Sequence, residues 1–313
     1  MNRRQFIAAA AAGTGFLAAK DRKNAIGRNR ISAISDEVAT SPAEAVAFAK
    51  KFGMEWLELR NVPGGKQPYF YMTKQELKPV ANEFRDNGIR ISFLNTSLLK
   101  FGLPGTELKA RRGKETPDAQ AKREARQQSE FDKRMENLHK CIAAAHALGT
   151  DRVRVFTFLR VDEPEKLFPR IAEVLDPMCK VAQQEGVRLL IENEASCNVG
   201  SCAELAAMLK VLPSKVLGAN WDPLNGISIE KPYPDGYNLL PKDKIWNAQI
   251  KGKSILDGPQ HLDWIGIIRS MEQDGYAGEL GLETHYFDGT NIEKAHASMS
   301  AMVGIVDPQA PHS

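Results

Sequence analysis

The chain has 313 residues, of which 42% are hydrophobic and 26% are charged. This composition excludes a disordered tail protein, a collagen and a small disulfide scaffold, because it can bury one large core or two modest ones. The formal charge is +3, and without Arg3 and Arg4 of a leader 40 basic residues oppose 39 acidic ones. A nucleic-acid-binding protein is normally more basic.

Residues 1–29 are predicted to be a twin-arginine signal peptide and linker. Arg3 and Arg4 precede an Ala-rich apolar stretch that reaches Ala19, and polar residues begin at Lys20. A charged start before a short apolar segment is typical of such export signals. The alternative is a membrane anchor, but a spanning helix needs about 20 apolar residues. We therefore expect a periplasmic or otherwise exported protein, with the twin-arginine translocation machinery as a partner.

Beyond the leader, short apolar runs alternate with longer amphipathic stretches. The apolar runs predict strands at 30–38, 56–60, 90–97, 152–158, 188–194, 217–223, 245–252 and 278–285. The amphipathic stretches predict helices at 41–52, 73–87, 119–147, 163–185, 201–211, 262–274 and 292–304. The segment 224–244 is rich in Pro, Gly and Tyr and is predicted to be a loop over the mouth of the fold.

Several predicted helices carry start and stop signals. Ser41 before Pro42 predicts an N-cap, and Thr73 with Glu76 fits a capping box. Left-handed C-terminal caps are expected at Gly53, Gly88, Gly149, Gly186 and Gly275. A repeated helix–glycine–strand unit indicates parallel strands that are joined by crossover helices.

Eight such strands in about 280 residues predict a single-domain α/β fold, a (β/α)₈ TIM barrel over residues 30–306, followed by a C-terminal tail at 307–313. An open doubly wound sheet is the alternative. It would place a Gly-rich phosphate-binding loop after the first strand, where Ser35-Asp36-Glu37-Val38 stands instead. Cys197 and Cys202 could form a disulfide or remain free thiols.

Polar residues end the late strands, where the active site of such a barrel lies. Glu192 ends the fifth strand, Asp222 the sixth and Glu283 the eighth. Each alone could be a loop cap or half of an ion pair. Together, pointed at one axis, the three carboxylates would repel and raise one another's pKa unless a cation lay between them. Oxygen ligands suit Mn²⁺ or Mg²⁺ better than zinc, and Gln249 could supply a fourth oxygen.

From Ile31 to about Val306 the chain resembles the xylose-isomerase-like superfamily of barrels, in its sugar phosphate isomerase/epimerase branch. The resemblance is carried by Ile34-Ser35-Asp36-Glu37 and Leu57-Glu58-Leu59-Arg60 in the first two strands. In that family a Glu, an Asp, a His and a Glu on strands five to eight hold one divalent metal. Three of these places are matched by Glu192, Asp222 and Glu283. The His-x-Lys-Asp of strand seven is replaced by Gln249-Ile250-Lys251-Gly252.

The resemblance implies a metal-dependent isomerase or epimerase that acts on a small carbohydrate, with Mn²⁺ as the expected ion and Mg²⁺ as the alternative. Glu192 and Glu283 would then remove and return a proton next to a carbonyl group. Four residues are expected to contact substrate: Lys251, His285, Asn225 and Arg60. A structural ion pair is the alternative for Lys251, and pairing with Glu37 is the alternative for Arg60.

Other functions stay open at this point. A 3-keto-glycoside lyase or hydrolase would use the same scaffold, and the Gln249 replacement is compatible with a sugar-binding barrel without catalysis. A phosphodiesterase acting on abasic DNA is disfavoured, because it needs several His at strand ends. His139 and His146 fall within a predicted helix, which leaves His285 nearly alone. We expect no nucleic-acid partner, whereas a homo-oligomer is possible.

Overall fold

The computed structural model describes residues 25–109 and 116–308. Eight parallel strands form one sheet in the order β1-β8-β7-β6-β5-β4-β3-β2. Their bounds are β1 Ile31–Ala33, β2 Trp56–Leu59, β3 Arg90–Leu94, β4 Arg152–Val155, β5 Arg188–Glu192, β6 Leu217–Trp221, β7 Ile245–Lys251 and β8 Glu279–Glu283. A single bridge between Ile34 and Glu58 joins β1 to β2 and nearly closes the sheet. The predicted single-domain TIM barrel is therefore confirmed.

Helices and helical turns follow the strands in alternation and cover the outside of the barrel. The α-helices are α1 Ser35–Val38, α2 Pro42–Phe52, α3 Lys74–Asp86, α4 Pro117–Asp132, α5 Arg134–Leu148, α6 Phe168–Gln184, α7 Cys202–Val211, α8 Pro223–Gly226, α9 Tyr237–Leu239, α10 Gly252–Ile255, α11 Trp264–Gln273 and α12 Asn291–Val306. Further short helical turns span Arg28–Arg30, Tyr69–Tyr71, Pro164–Leu167, Pro232–Gly236 and Lys242–Lys244. Among the described residues, no helix has the length and apolar character needed to cross a membrane.

The predicted helix signals are confirmed in the structure. The Ser41 side chain accepts the Glu44 N–H at 3.2 Å, and Thr73 with Glu76 forms the predicted capping box. A second capping box, Ser201 with Glu204, begins α7. All five glycines predicted to cap helices have positive φ: Gly53, Gly88, Gly149, Gly186 and Gly275.

The predicted extent of the first strand, 30–38, is wrong. The strand ends at Ala33, and Ser35–Val38 forms the short helix α1. Ile34 makes a bridge to β2 and donates its N–H to the Leu282 carbonyl, and among the described residues no further strand pair follows it. The Asp36 carboxylate instead accepts the Asn61 N–H at 3.3 Å and the Asn61 side-chain amide at 2.9 Å, so the chain turns across the barrel end.

Two further boundaries differ from the prediction. The single helix expected at 119–147 is two helices, α4 and α5, because the backbone turns at Lys133, whose ψ is near 0°. The segment 224–244 is not entirely a loop, since it contains most of α8, all of α9 and two further turns. Tyr237 of α9 packs on Trp221 of β6 with ring centroids 5.1 Å apart.

The first described residues lie against the last part of the barrel. The Ile26 N–H donates to the Glu272 carboxylate at 2.7 Å. The Arg30 guanidinium donates to the carbonyl oxygens of Tyr276 and Gly278, each at 2.7 Å. Strand β1 then pairs with β8 from Ile31 onward. Both ends of the barrel sequence therefore meet in one place.

Two predicted segments lie outside the described residues, whereas the state of Cys197 and Cys202 is shown. The predicted twin-arginine motif lies in residues 1–24, and the end of the predicted tail lies in 309–313, both outside the described residues. Cys197 and Cys202 are free thiols, and both are buried. The disulfide alternative for this pair is therefore wrong.

Candidate active site

The structure brings four charged residues together at the C-terminal ends of neighbouring strands. Glu192 ends β5, Asp222 follows β6, Lys251 ends β7 and Glu283 ends β8. Each of the four residues is at most 5% exposed. One carboxylate oxygen from each of the three acidic residues lies within 4.8 Å of the others. We call the three acidic residues the acidic cluster.

The Lys251 ammonium lies between two of the carboxylates. It donates to Asp222 Oδ2, to Glu283 Oε2 at 2.8 Å and to Asn225 Oδ1 at 3.0 Å. Burial disfavours the charged form of Lys251, but the carboxylates outweigh burial and raise its pKa above the usual value. Burial alone would raise the pKa of Glu283, yet Lys251, followed by His285, holds that pKa well below its usual range. Lys251 and Glu283 are therefore an ionised pair.

Asp222 is held in place by the backbone that follows it. Its Oδ1 accepts the N–H groups of Leu224 at 2.9 Å and Asn225 at 3.0 Å, which caps the short helix α8. Burial raises the pKa of Asp222 to about 6, against the opposing effect of Lys251. Asp222 therefore caps a helix, as the alternative for a lone carboxylate expected, and is also part of the acidic cluster.

Glu192 is paired with an arginine that the sequence reasoning missed. Its Oε2 accepts Arg154 Nη1 at 2.8 Å and the Asn220 amide at 2.7 Å, whereas its Oε1 accepts the Asn225 amide at 3.2 Å. Arg154 also donates from Nε to the Thr96 carbonyl at 2.9 Å, and its side chain is 8% exposed. The available signal was a charged residue inside the strand Arg152–Val155, where parallel strands are otherwise apolar.

Gln249, the predicted fourth ligand, bonds through its amide nitrogen to residues outside the acidic cluster. Its Nε2 donates to Glu58 Oε2 at 2.8 Å and to Asn95 Oδ1 at 3.2 Å. Glu58 is fully buried and also accepts bonds from Ser32, Asn95 and Asn247. Burial outweighs these donors and raises the pKa of Glu58. Gln249 Oε1 is buried and has no hydrogen-bond partner among the described residues.

Arg60 joins the edge of the acidic cluster to the first strand. Its Nη2 lies 2.8 Å from Glu37 and 3.0 Å from Asp36, and its Nη1 lies 3.4 Å from Glu283 Oε1. The alternative in which Arg60 pairs with Glu37 is therefore realised. Its side chain is one quarter exposed, so solvent reaches it beside the buried carboxylates.

His285 and Phe287 form the exposed border of the site. His285 has a φ of 58°, and its N–H donates to Glu37 Oε2 at 2.5 Å. Its Nδ1 lies 3.4 Å from Glu283 Oε1. Phe287 is 82% exposed, and its ring meets the His285 ring edge-on at 4.5 Å. An exposed aromatic ring beside a polar cluster is suited to a ligand with both apolar and hydroxyl surfaces.

The three carboxylates are close enough that they could hold a metal ion, and so are Glu37, Glu283 and His285. The donor set around them does not fit an added divalent ion while Lys251 keeps its position. Its ammonium is already bonded to the Asp222 and Glu283 oxygens that would face the ion. In the second group, Arg60 contacts both carboxylates. The predicted ligand and catalytic roles stay predictions.

A parallel barrel with a buried cluster of carboxylates at its C-terminal end belongs to a class that contains many small-molecule enzymes. The chain belongs to the xylose isomerase-like TIM barrel family, whose model matches residues 46–302. No protein with a curated description matches it.

Solved structures of similar shape share little sequence with the chain. L-ribulose 3-epimerase is 17% identical with a TM-score of 0.63, covering 91% of this chain and 99% of its own. A 3-keto-D-glucoside 4-epimerase from E. coli is 10% identical with a TM-score of 0.63, covering 89% and 98%. A xylose isomerase-like barrel protein from Mycobacterium smegmatis, in complex with magnesium, is 14% identical with a TM-score of 0.60, covering 88% and 97%. At these identities the likeness shows the fold.

Proposed function

We propose that the protein is a carbohydrate isomerase or epimerase that moves a proton at the carbon next to a carbonyl group. The observation that carries this proposal is the acidic cluster, in which Glu192 and Glu283 lie near one buried ammonium. The similarity in fold to two sugar epimerases supports a carbohydrate substrate. The exposed Phe287 offers an apolar face for a sugar ring at the border of the cluster.

Glu283 is the group that removes the proton in this proposal. Its lowered pKa keeps it ionised, as a base must be. The C–H electron pair then forms a C=C bond, and the carbonyl π electrons move to oxygen to give an enediolate. The Lys251 ammonium uses its three N–H donors on Asp222, Glu283 and Asn225. By exchanging the bond to the neutral Asn225 side chain, it can donate to that oxygen as its negative charge develops.

Glu192 is the group that returns a proton. Its Oε2 is bonded by Arg154 and Asn220, whereas Oε1 accepts one bond, from Asn225 at 3.2 Å. Oε1 is therefore the atom at which a proton can be held and released. Return to the same carbon from the opposite side inverts its configuration. Return to the neighbouring carbon, with the hydroxyl proton transferred to the enediolate oxygen, exchanges the carbonyl and hydroxyl positions.

A second candidate is elimination from a 3-keto-glycoside, favoured by the similarity in fold to the 3-keto-D-glucoside 4-epimerase. The first step is the same removal of a proton next to the ketone. The electron pair then expels the glycosidic oxygen, which leaves as an alcohol after taking up a proton. The products distinguish the two reactions, because elimination releases the aglycone whereas epimerisation retains it.

The test is deuterium incorporation from D₂O into a panel of keto-sugars and 3-keto-glycosides, measured by mass spectrometry and NMR. The assay runs with and without Mn²⁺ or Mg²⁺, since the sequence predicts a need for such an ion. We expect Glu192→Gln and Glu283→Gln each to lower exchange by about 10²–10⁴. Glu194→Gln is the matched control, because Glu194 follows the same strand but pairs with Lys100 at 3.2 Å.

Two outcomes contradict the proposal. If no sugar in the panel exchanges a proton under either condition, while some still bind, the protein is a sugar-binding barrel. If exchange occurs but both glutamine variants keep the wild-type rate, the two carboxylates do not have the proposed roles.

A further inference from the structure

The position of Lys251 determines which kind of cation can bind between the carboxylates of the acidic cluster. Its ammonium bonds to one oxygen of Asp222, to one oxygen of Glu283 and to the Asn225 side-chain oxygen. The Lys251 side chain is 6% exposed, and that of Asp222 is fully buried. The ammonium therefore already lies where an ion bridging Asp222 and Glu283 would have to bind.

Each carboxylate of the cluster already has a cationic partner on the protein. Lys251 forms ion pairs with Asp222 and Glu283, and Arg154 forms an ion pair with Glu192 at 2.8 Å. An added divalent ion would have to displace the ammonium or share the space with it. Sharing would place like charges together in a buried site, which is strongly unfavourable.

Gln249, two residues before Lys251 on β7, has its amide hydrogens bonded elsewhere. Gln249 donates its amide hydrogens to Glu58 and Asn95, which fixes the orientation of the side chain. Its Oε1 is left without a partner among the described residues. That oxygen is a neutral acceptor on the strand that also carries Lys251. The three carboxylates lie close enough to hold an ion, and the Lys251 ammonium is bonded to two of them.

We propose that the Lys251 ammonium is the resident cation of this site and replaces a divalent metal ion. The inference rests on the proposed function for its chemical consequence: the enediolate oxygen of a 2-hydroxy carbonyl sugar is stabilised by an N–H donor that cannot dissociate. Chelating agents then leave the exchange reaction unchanged. Such a site discriminates among substrates by hydrogen bonding, without inner-sphere coordination of their hydroxyl groups.

The direct test is metal content and affinity of the full chain, independent of activity. Purified wild-type protein is analysed by plasma mass spectrometry and titrated with MnCl₂ and MgCl₂ by calorimetry. We expect wild type to contain far less than one ion per chain and to bind neither ion measurably. We expect Lys251→Ala to bind Mn²⁺ roughly 100-fold or more tightly than wild type, a change at the upper end of what altering a metal's surroundings achieves.

Lys253→Ala is the matched control. Lys253 lies two residues further along, is exposed, and places its ammonium over the Tyr286 ring at 5.4 Å, so its variant should behave as wild type. Because Lys251→Ala leaves carboxylates close together, it can be unstable without an ion. The melting temperature with and without Mn²⁺ then provides the second measurement: the ion should raise it for Lys251→Ala and leave it unchanged for wild type.

A wild-type protein that retains one divalent ion per chain, or whose melting temperature rises with micromolar Mn²⁺, overturns the inference. So does a folded Lys251→Ala variant with no gain in affinity. These results differ from failure of the proposed function, which shows as absence of deuterium exchange with every sugar whether or not an ion is bound.

Discussion

Removing the arginine that pairs with Glu192 should destabilise the whole barrel. The Arg154 and Glu192 side chains are 8% and 3% exposed and meet at 2.8 Å. In Arg154→Met a shorter apolar side chain replaces the guanidinium, so Glu192 is left as a buried carboxylate with only amide donors. Breaking such a buried pair costs about 3–5 kcal/mol. That is a large part of a total unfolding free energy of about 5–15 kcal/mol.

The measurement is urea unfolding of wild type, Arg154→Met, Glu192→Gln and the double variant, followed by circular dichroism. The double variant lacks both charges, so its loss of unfolding free energy should be smaller than the sum of the two single losses by about 2–3 kcal/mol. Arg188→Met provides the same substitution in an exposed pair with Asp151, where the side chains are 33% and 50% exposed. We expect that control to cost about 1 kcal/mol or less.

If Arg154→Met unfolds at the same urea concentration as Arg188→Met, the buried pair stabilises the barrel no more than the exposed one. If the losses of unfolding free energy in the two single variants simply add in the double variant, Arg154 and Glu192 are not coupled. Either result would mean that the Glu192 side chain is accommodated without its arginine, through water or through Asn220 and Asn225.

Three further predictions concern stability and substrate binding. Burial opposes ionisation of Glu204, but Arg160 at 2.5 Å and two backbone N–H groups lower its pKa, so its stabilising effect is present at neutral pH and lost as pH falls through that lowered pKa. Glu204→Gln should therefore cost about 1–2 kcal/mol at pH 7 in urea unfolding, and the difference from wild type should shrink below about pH 4. In Gly281→Ala the new Cβ would clash with Glu58 Oε1, and we expect the free energy of unfolding to fall by about 1–3 kcal/mol in the same assay. Phe287→Ala should raise the KM of deuterium exchange several-fold while the melting temperature stays unchanged.

Matched substitutions check the last two expectations. An added Cβ at Gly304, in α12, meets no atom within 4 Å, so Gly304→Ala should stabilise the protein by up to about 1 kcal/mol. Ile265 is 50% exposed on α11, and Ile265→Ala should leave KM unchanged. A destabilised Gly304→Ala, or equal KM changes for both aromatic and aliphatic variants, would contradict the respective argument.

The sequence predicted the fold and the acidic residues because both depend on order along the chain. Glycine caps and alternating periodicities define the eight strands, and parallel strands bring their C-terminal ends to one side. Glu192, Asp222 and Glu283 end such strands, so their proximity in the structure needs no knowledge of side-chain conformation.

The parts that sequence reasoning missed depend on side-chain direction and on neighbouring strands. Gln249 and Lys251 are two residues apart on β7. The Gln249 amide donates to Glu58, whereas the Lys251 ammonium donates to Asp222 and Glu283. Periodicity shows that both face the barrel interior, but it does not give the atom that each one bonds. Arg154 was missed for a similar reason, because its partner lies on the adjacent strand.

The pairing of β1 with β8 has a consequence for how the protein forms during synthesis. Ile31 aligns with Leu280 and Ala33 with Leu282, so the first strand finds most of its backbone partners near the end of the chain. A nascent chain still lacking those residues can build an open sheet but cannot seal it, and a partner so distant in sequence is slow to find. Completion of the barrel therefore waits until β8 has been made.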